Sequence, residues 1–254
     1  MDINPTSFPE TLKAWRKTKR FSQLDLAMEA DVSSRHISFL ETGRAKPSRE
    51  MIGRLGEAMQ LPLSARNQML AHAGFAPRYS ARQWDDAALE PMRAAVDYML
   101  ARHAPYPALT IDGLWRVLKM NEPARTLFGI INVQEGDSLL DLMLGDVLPA
   151  MIDNWSEVAY HSAQRLRTES VAQGGVSELD RAANLLALVP QPDELPMQPV
   201  VPTRFRIGDR RLSLFTTLAQ FGTPEDLTLD DLKIEFYFPA DGETAEALKA
   251  MSGV

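Results

Sequence analysis

The sequence predicts two domains: an all-α domain of five helices at the N-terminus, and an α+β domain with an antiparallel sheet at the C-terminus. Apolar residues recur at helical spacing through residues 1–76. Near the other end, segments 203–207, 210–221 and 232–239 are rich in β-branched and aromatic residues, which is typical of strands. The charge changes as well, since residues 1–80 contain 12 basic and 8 acidic residues, whereas residues 81–254 contain 15 and 26. A length of 254 residues suits two cores of this kind.

Each N-terminal helix has a start or a stop signal. The predicted ranges are 8–20, 22–30, 33–42, a fourth helix capped by Ser48, and a fifth that has Pro62 in its first turn and ends near Ala73. Ser22 and Ser33 are the expected N-caps of the second and third helices, because a hydroxyl can accept from the unpaired N–H groups of a first turn. Gly43 is expected to end the third helix in a left-handed cap.

The following region alternates between helix and strand signals. The first predicted elements are a linker (74–86), a helix (87–102), and a hairpin (108–112 and 114–121) around Gly113. They are followed by a helix that starts at Asn121 and by a mostly helical region (138–188) that is broken at Gly145, Pro149 and Gly174-Gly175. The last elements are a Pro-rich loop (191–202), the three strands with a Gly208-Asp209 turn, and a short helix over the last ten residues. Two strands, then helices, then three strands is the order of a PAS-like domain with its helices on one face of the sheet.

Residues 22–43, SQLDLAMEADVSSRHISFLETG, show the pattern of a helix-turn-helix. Two short helices flank a polar break at which Asp31 takes the position that usually requires glycine. The residues placed to form the face shared by two crossed helices are Leu26, Ala27, Ala30, Val32, Ile37 and Leu40. The second helix therefore exposes Ser34, Arg35 and Ser38, which can hydrogen-bond to base edges or phosphates.

These residues resemble a known family. The segment is similar to the XRE type, the Cro and phage-repressor class of helix-turn-helix, and SRHISFLETGRAKPSREM more narrowly resembles the MmyB-like bacterial regulators. The resemblance continues in PALTIDGLWRVLKMNEPAR, in NWSEVA and in FTTLAQFGTPEDLTLDDLKIEFYFPAD, so that it spans the chain. It implies a phage-repressor-like DNA-binding domain (1–76), a linker with a connecting helix (77–104), and a PAS-like domain (105–254) that holds a hydrophobic small molecule of the fatty-acid kind.

The second helix of the motif is expected in the major groove of double-stranded DNA. Arg35 is the first choice for base readout, because a guanidinium can grip guanine O6 and N7. The predicted DNA contacts are Gln23, Ser33, Ser34, Arg35, His36, Ser38, Arg44 and Lys46, of which the last two suit phosphates. Phe39 either touches a thymine methyl or forms a partner interface, and Arg16 is either a phosphate contact or a solvated helix end. Because one helix-turn-helix makes few contacts, a homodimer on a near-palindromic operator is expected.

The ligand site is predicted from the resemblance, which implies an enclosed apolar cavity between sheet and helices. Taken singly, each of its residues suits a core position equally well. The predicted set is Tyr106, Trp115, Asn121, Phe128, Leu142, Met143, Met151, Trp155, Phe215 and Arg204. A ligand head group needs few polar partners, and the candidates for that role are Asn121, His161, Arg165, Arg204 and Arg206.

The chemistry of an enzyme is not indicated. The sequence has no GxGxxG, P-loop, GxSxG or HExxH motif, no cysteine, and four histidines without metal-ligand spacing. Adjacent carboxylates such as Asp230 and Asp231 mostly cap helices or solvate turns. We therefore expect no catalytic residue, no metal, and no cofactor other than a bound fatty acid or similar apolar ligand.

The N-terminus lacks the basic and apolar regions of a signal peptide, and no apolar run reaches the length of a membrane-spanning helix, so a cytoplasmic protein without membrane contact is expected. Two alternatives to a ligand-responsive transcription regulator remain open. In the first, the C-terminal domain only dimerises or binds a protein partner, and in the second, the chain is an antitoxin-like module that binds a toxin or peptide. A closed cavity favours the ligand, and a filled core with a broad exposed apolar patch favours the alternatives.

Overall fold

The computed structural model describes residues 7–191 and 199–252, so most of the predicted Pro-rich loop lies outside the described residues. The chain divides into two compact units. The first contains the residues up to Ala81 together with Glu225–Leu227, and the second contains the remainder.

The N-terminal unit has the five predicted helices, which are α1 (Phe8–Thr18), α2 (Gln23–Glu29), α3 (Ser34–Glu41), α4 (Arg49–Ala58) and α5 (Leu63–His72). Their apolar stripes meet in one core, in which Leu12, Leu26, Ile37, Leu40 and Leu55 are fully buried. Pro62 lies one position earlier than predicted, as the N-cap of α5. The helix-turn-helix therefore rests on a packed bundle and not on an isolated hairpin.

The C-terminal unit contains a five-stranded antiparallel sheet. Its strands are β1 (Ala108–Ile111), β2 (Val117–Met120), β3 (Thr203–Ile207), β4 (Arg210–Ala219) and β5 (Lys233–Pro239), in the order β2-β1-β5-β4-β3. Two strands precede the helices and three follow them, as predicted. The β3–β4 turn is the predicted Gly208-Asp209 pair, and Gly208 has a φ of +59°.

The helices of the C-terminal unit are α6 (Glu90–Arg102), preceded by a 3₁₀ turn (Ala87–Leu89), then α7 (Glu122–Gly129), α8 (Leu139–Leu144), α9 (Val147–Ala150), α10 (Trp155–Ala172), α11 (Ser177–Leu186), α12 (Leu227–Asp230) and α13 (Gly242–Met251). The predicted break at Pro149 was wrong, because this proline lies inside α9. Proline is tolerated in a first turn, where its missing N–H has no helical partner. Breaks do occur at Gly145 and at Gly174-Gly175.

Helices cover both faces of the sheet, which corrects the expectation of helices on one face. On one face Val96 and Leu100 of α6 pack with Ala108, Leu232 and Ile234. The apolar side chains of α7, α8, α10, α11 and α13 form a larger cluster with the opposite face, and we call this the main cluster. The helix assigned to the connection between domains is thus part of the core of the C-terminal unit.

Within residues 7–191 and 199–252, no helix is long and apolar enough to cross a membrane. The same residues contain no group of three or more His, Asp or Glu side chains placed to hold a metal ion.

Candidate functional site

Side-chain caps fix the two helices of the helix-turn-helix. The Ser22 hydroxyl accepts from the N–H of Asp25, and the Asp25 carboxylate accepts from the N–H of Ser22 at 2.9 Å, which makes a reciprocal capping box. At the start of α3, the Ser33 hydroxyl accepts from the N–H of His36 at 3.2 Å. Asp31 occupies the left-handed region in the turn, with a φ of +52°. The caps at Ser22 and Ser33 and the left-handed conformation of Asp31 therefore fix the direction of α3 relative to α2.

The end of α3 is equally well defined. Gly43 has a φ of +71° and donates to the carbonyl of Leu40, while Arg44 donates to the carbonyl of Phe39 at 2.9 Å. These two bonds form a Schellman motif. Because the motif stops the helix, the basic segment with exposed Arg44 and Lys46 begins directly after α3.

Helix α3 buries one side and exposes the other. Ile37 and Leu40 are fully buried. Of the predicted DNA contacts, Ser33, Ser34, Arg35, Arg44 and Lys46 are exposed, and Gln23, His36 and Ser38 are half-buried. The guanidinium carbon of Arg35 lies 5.2 Å from the centre of the Phe39 ring. The exposed donors of Ser34 and Arg35, at the N-terminal end of α3, can meet the edges of bases in a groove.

An ion pair that is largely buried joins α1 to the last residue of α3. The guanidinium of Arg16 binds both carboxylate oxygens of Glu41, at 2.5 and 3.0 Å, and donates to the Phe21 carbonyl at 2.8 Å. The Gln23 amide also donates to Glu41, at 2.8 Å. Burial alone would raise the pKa of Glu41. The hydrogen bonds from Arg16 and Gln23 have a larger, opposite effect, so the pKa lies below its usual value. Arg16 is therefore a structural residue of the bundle and not a solvated helix end.

Sequence reasoning missed this pair, although a signal was present. Glu41 follows the buried Ile37 by four residues, and Arg16 follows the buried Leu12 by four. That spacing places a charge on the core side of each helix, where a charge requires a partner.

In the C-terminal unit, charged side chains of α10 and β5 meet between helix and sheet. We call this group the Arg165 cluster; it consists of Trp115, Arg165, Glu169, Lys233, Glu235 and Tyr237. Arg165 lies 2.8 Å from a carboxylate oxygen of Glu169 and 2.8 Å from one of Glu235. Lys233 Nζ lies 3.1 Å from Glu169, and the Trp115 indole N–H donates to Glu169 at 2.7 Å. The Tyr237 hydroxyl donates to Glu235 at 2.8 Å.

Burial and charge pairing dominate this cluster. Lys233 and Glu235 are 6% and 5% exposed. Burial alone would raise the pKa of Glu169. The positive charges of Arg165 and Lys233 have a larger, opposite effect, so the pKa lies below its usual value. Burial and the nearby Glu235 raise the pKa of Tyr237, which keeps its hydroxyl protonated as a donor. Two cations and two carboxylates thus share one poorly solvated space.

Three polar atoms of the cluster are buried without a hydrogen bond among the described residues: Arg165 Nη2, Lys233 Nζ and Glu235 Oε1. They lie at ion-pair distance from opposite charges, but not in hydrogen-bond geometry. Arg165 Nη2 and Glu235 Oε1 are paired with each other at 2.8 Å, and Lys233 Nζ is paired with Glu169 at 3.1 Å, so these atoms are held by charge and retain hydrogen-bonding capacity.

Six of the ten predicted ligand residues come together in the main cluster. Trp115, Phe128 and Met143 are buried in it, and Tyr106, Leu142 and Trp155 pack against it. The Phe128 ring lies edge-on to Tyr237, with 5.5 Å between ring centres. The apolar set therefore adjoins the Arg165 cluster.

The other four predicted residues lie elsewhere. The Asn121 side-chain oxygen accepts from the N–H groups of Ala108 and Ala124, and its amide nitrogen donates to the carbonyls of Leu100 and Tyr106. All four hydrogen bonds that this side chain can make are therefore used within the fold, and none is left for a ligand. Phe215 stacks on Phe238, which lies on the sheet face opposite the Arg165 cluster, because side chains alternate along β5.

Arg204 and Met151 also lie outside the group. Arg204 is exposed on β3, and its backbone N–H donates to Asn154. Met151 is half-buried and does not belong to the main cluster as the structure describes it. Of the five candidate head-group anchors, His161 and Arg206 are exposed, and Arg165 is the one that lies at the main cluster.

Glu169, Lys233, Glu235 and Tyr237 were missed from the sequence. The segment LKIEFYF of β5 alternates, and an alternating strand is expected to turn its polar side chains to water. Here helices cover both faces, so Lys233, Glu235 and Tyr237 face α10. The i,i+4 spacing of Arg165 and Glu169 was the available signal.

Two models of known protein families match the chain, each over a different part. Residues 92–251 match the family model described as "MmyB-like transcription regulator ligand binding domain", and residues 12–65 match the model described as "Helix-turn-helix". No curated protein matches the chain. A solved structure titled "Structure of an RNA-binding Light-Oxygen-Voltage Receptor" is 11% identical, with 98% of this chain and 63% of that chain covered and a TM-score of 0.27. The chain thus spans less than two thirds of the length of that receptor.

Proposed function

This chain belongs to the MmyB-like transcription regulators, and from that premise we propose that an apolar, fatty-acid-like molecule in its C-terminal domain changes its hold on a specific DNA operator. The protein is a helix-turn-helix DNA-binding transcription regulator with a ligand-binding domain. The DNA-reading residues, the ligand class, the action in the cytoplasm and a DNA-binding domain that ends at residue 76 are parts of the proposal.

On DNA, α3 lies in the major groove with Arg35 on a guanine. Ser34 and Ser38 hydrogen-bond to neighbouring bases or phosphates, and Arg44 and Lys46 neutralise phosphates beside the groove. The exposure of Arg35, Arg44 and Lys46 supports these roles. Gln23 contributes through the part of its amide that Glu41 does not hold. Arg16 has no part in DNA binding, because it is engaged with Glu41.

The regulator acts as a homodimer on a near-palindromic site. Two copies of α3 spaced by one turn of DNA, roughly 34–36 Å, double the number of contacts. The 12 basic residues among residues 1–80 supply the attraction to the duplex.

The ligand proposal depends on the three buried polar atoms without hydrogen bonds. Arg165 Nη2 and Lys233 Nζ can donate, and Glu235 Oε1 can accept. A carboxylic acid head group would bind by replacing the contact between Arg165 Nη2 and Glu235 Oε1, because its carbonyl oxygen accepts from Arg165 or Lys233 and its protonated oxygen donates to Glu235. An acyl chain attached to that head would pack among Trp115, Phe128 and their apolar neighbours. This arrangement matches a fatty acid better than a sugar or a nucleotide.

Ligand and DNA are then linked by mass action. If the acid binds one arrangement of the C-terminal domain more tightly, it shifts the population of dimers that are competent to bind the operator. The size of the effect on DNA equals the size of the reciprocal effect of DNA on ligand affinity.

The test combines mass spectrometry with DNA binding. The full chain is purified, its bound small molecules are extracted and identified, and an operator is selected from random duplexes. We expect a carboxylic acid with a long apolar chain at near-stoichiometric amount. The delipidated chain should regain it and change its operator affinity by about 5- to 150-fold.

The variant Arg165→Met should lose the acid, and Arg181→Met, at an exposed position of α11, should retain it. Melting temperatures of both variants check that they are folded. Extraction of no small molecule, together with no change in melting temperature or operator affinity on addition of fatty acids, would contradict the ligand role. That result would favour a C-terminal domain that only dimerises or binds a partner.

A further inference from the structure

The pair Arg35 and Phe39 forms a single unit on the outer side of α3. Residues four apart on a helix are neighbours, and here the guanidinium carbon lies 5.2 Å from the centre of the phenyl ring. In the described part of the chain, Phe39 is half-buried and is not among the side chains that pack against the core of the N-terminal unit. A large aromatic side chain in this position is not explained by the stability of the bundle.

The contact restricts Arg35 without using its hydrogen-bond donors. A guanidinium stacks on an aromatic ring through its flat face, so that its N–H groups, which lie in its plane, stay free. No carboxylate binds Arg35 among the described residues. Within the described residues, no carboxylate therefore competes with a base for the donors of Arg35.

We propose that the Arg35–Phe39 pair reads a two-base step, in which Arg35 binds a guanine and Phe39 contacts the C5-methyl group of the adjacent pyrimidine. Guanine offers O6 and N7 as acceptors in the major groove, and thymine offers its methyl group to apolar side chains such as phenylalanine. This inference rests on the proposed function, because it requires that α3 binds in the major groove.

The pair is compact enough to contact two neighbouring base pairs at once. The guanidinium carbon and the ring centre lie 5.2 Å apart, and neighbouring base pairs are stacked about 3.4 Å apart. The same methyl group is present on thymine and on 5-methylcytosine, so the shared chemistry is a 5-methylpyrimidine beside guanine.

The experiment removes the methyl group and leaves the base pairing intact. Operators are selected from random duplexes with the full chain, and each thymine next to a guanine is replaced by deoxyuridine. For the unmodified protein we expect one such replacement to lower affinity about three- to fivefold, the value of one buried methyl group. Replacing that thymine by cytosine should lower affinity, and 5-methylcytosine should restore part of it.

Variants separate this contact from a structural effect. Phe39→Ala should bind the thymine and deoxyuridine operators equally, and Arg35→Lys should lose most of its preference for the guanine. Met28→Ala removes an apolar side chain that is 74% exposed on α2, and it should keep the deoxyuridine penalty. Melting temperatures of all variants check the fold.

The outcomes distinguish this inference from the proposed function. Operator binding without any deoxyuridine penalty, or an equal penalty in Phe39→Ala, overturns the two-base readout and leaves the regulator role intact. Failure to select any operator overturns both.

Discussion

The guanidinium of Arg165 lies over the indole ring of Trp115, with 4.3 Å between the guanidinium carbon and the ring centre. Trp115 has a φ of +61°, a left-handed conformation that is rare for a bulky residue and costs on the order of 1–3 kcal/mol. Its N–H donates to Asp112, its carbonyl accepts from Leu139 and its indole donates to Glu169. The fold therefore holds a strained tryptophan against the charged end of the proposed ligand site.

The first prediction concerns the ion pair of Arg165 and Glu235. Arg165→Met should lower the free energy of unfolding of the C-terminal unit by about 3–5 kcal/mol, because it leaves a buried carboxylate without its cation. The double variant with Glu235→Gln should cost less than the sum of the single variants, by about 1–3 kcal/mol, since the unpaired charge is then removed.

This cycle can be measured by urea unfolding followed through tryptophan fluorescence. In a Trp15→Phe background the signal comes from Trp84, Trp115 and Trp155, all in the C-terminal unit. Strict additivity of the two substitutions would show that the two side chains do not interact.

A second prediction follows from Asp231, whose pKa is raised to about 6 by burial, by the nearby Asp230 and by Asp112, against the opposing effect of Lys233. Between pH 3.8 and about 6 the folded state binds more protons than the unfolded state. The free energy of unfolding therefore falls as the pH rises from 3.8 to about 6, because the Asp231 carboxyl loses its proton less readily in the folded state than in the unfolded state. The loss is at most about 3 kcal/mol, and less because the carboxyl is partly exposed.

Asp231→Asn should flatten this part of the pH profile and stabilise the C-terminal unit more at pH 7 than at pH 4. The same fluorescence measurement at several pH values checks it. Asp180→Asn, at an exposed position of α11, is the control and should leave the profile unchanged. A profile of Asp231→Asn parallel to that of the unmodified chain would refute this assignment.

A third prediction concerns Glu41. Glu41→Gln leaves the Arg16 side chain, which is only 12% exposed, without a counter-charge and should lower the stability of the N-terminal unit by about 3 kcal/mol at pH 7. Because the pKa of Glu41 is depressed in the folded state, its contribution is fully present above 4.5, the usual pKa of this group, and is lost as the pH falls from there through the depressed pKa. The difference between variant and unmodified chain should shrink accordingly.

Hydrogen exchange of peptides from α1 and α3 measures this stability at each pH. Glu29→Gln, exposed at the end of α2, serves as the matched control. Equal protection in both variants would mean that the Arg16–Glu41 pair does not support the bundle.

A fourth prediction separates base reading from phosphate binding. Arg35→Ala should cost about 1–3 kcal/mol on the selected operator and relax the choice at one base pair. Lys46→Ala should weaken binding to all duplexes alike and reduce the salt dependence by about one phosphate contact. Binding isotherms over base-substituted operators at several salt concentrations measure both effects. Equal losses on every operator for Arg35→Ala would refute its reading role.

Local signals predicted most of the fold. Ser22, Ser33 and Asn121 cap helices as expected from their types, and Gly43 and Gly208 take the left-handed conformations that their turns require. Each depends on contacts within a few residues along the chain, which a single sequence contains.

The site depended on contacts that are distant in sequence. Arg16 meets Glu41 across 25 residues, and Arg165 meets Glu235 across 70. No local pattern specifies such partners. Phe215 lies apart from the main cluster for a related reason: an alternating strand indicates which residues share a face, but not which face the helices of the main cluster cover.

A final prediction uses one substitution at two glycines of the N-terminal unit. Gly43→Ala should destabilise the unit by about 1 kcal/mol, because its φ of +71° strains any residue with a Cβ, whereas the nearest atom, Pro9 Cγ at 3.8 Å, leaves room for the methyl group. Gly53→Ala, inside α4, should stabilise the unit by about 0.5–1 kcal/mol, since alanine favours the helix and the nearest atom lies 3.9 Å away. Hydrogen exchange of α3 and α4 peptides measures both effects, and changes of the same sign would show that backbone conformation does not end α3 at Gly43.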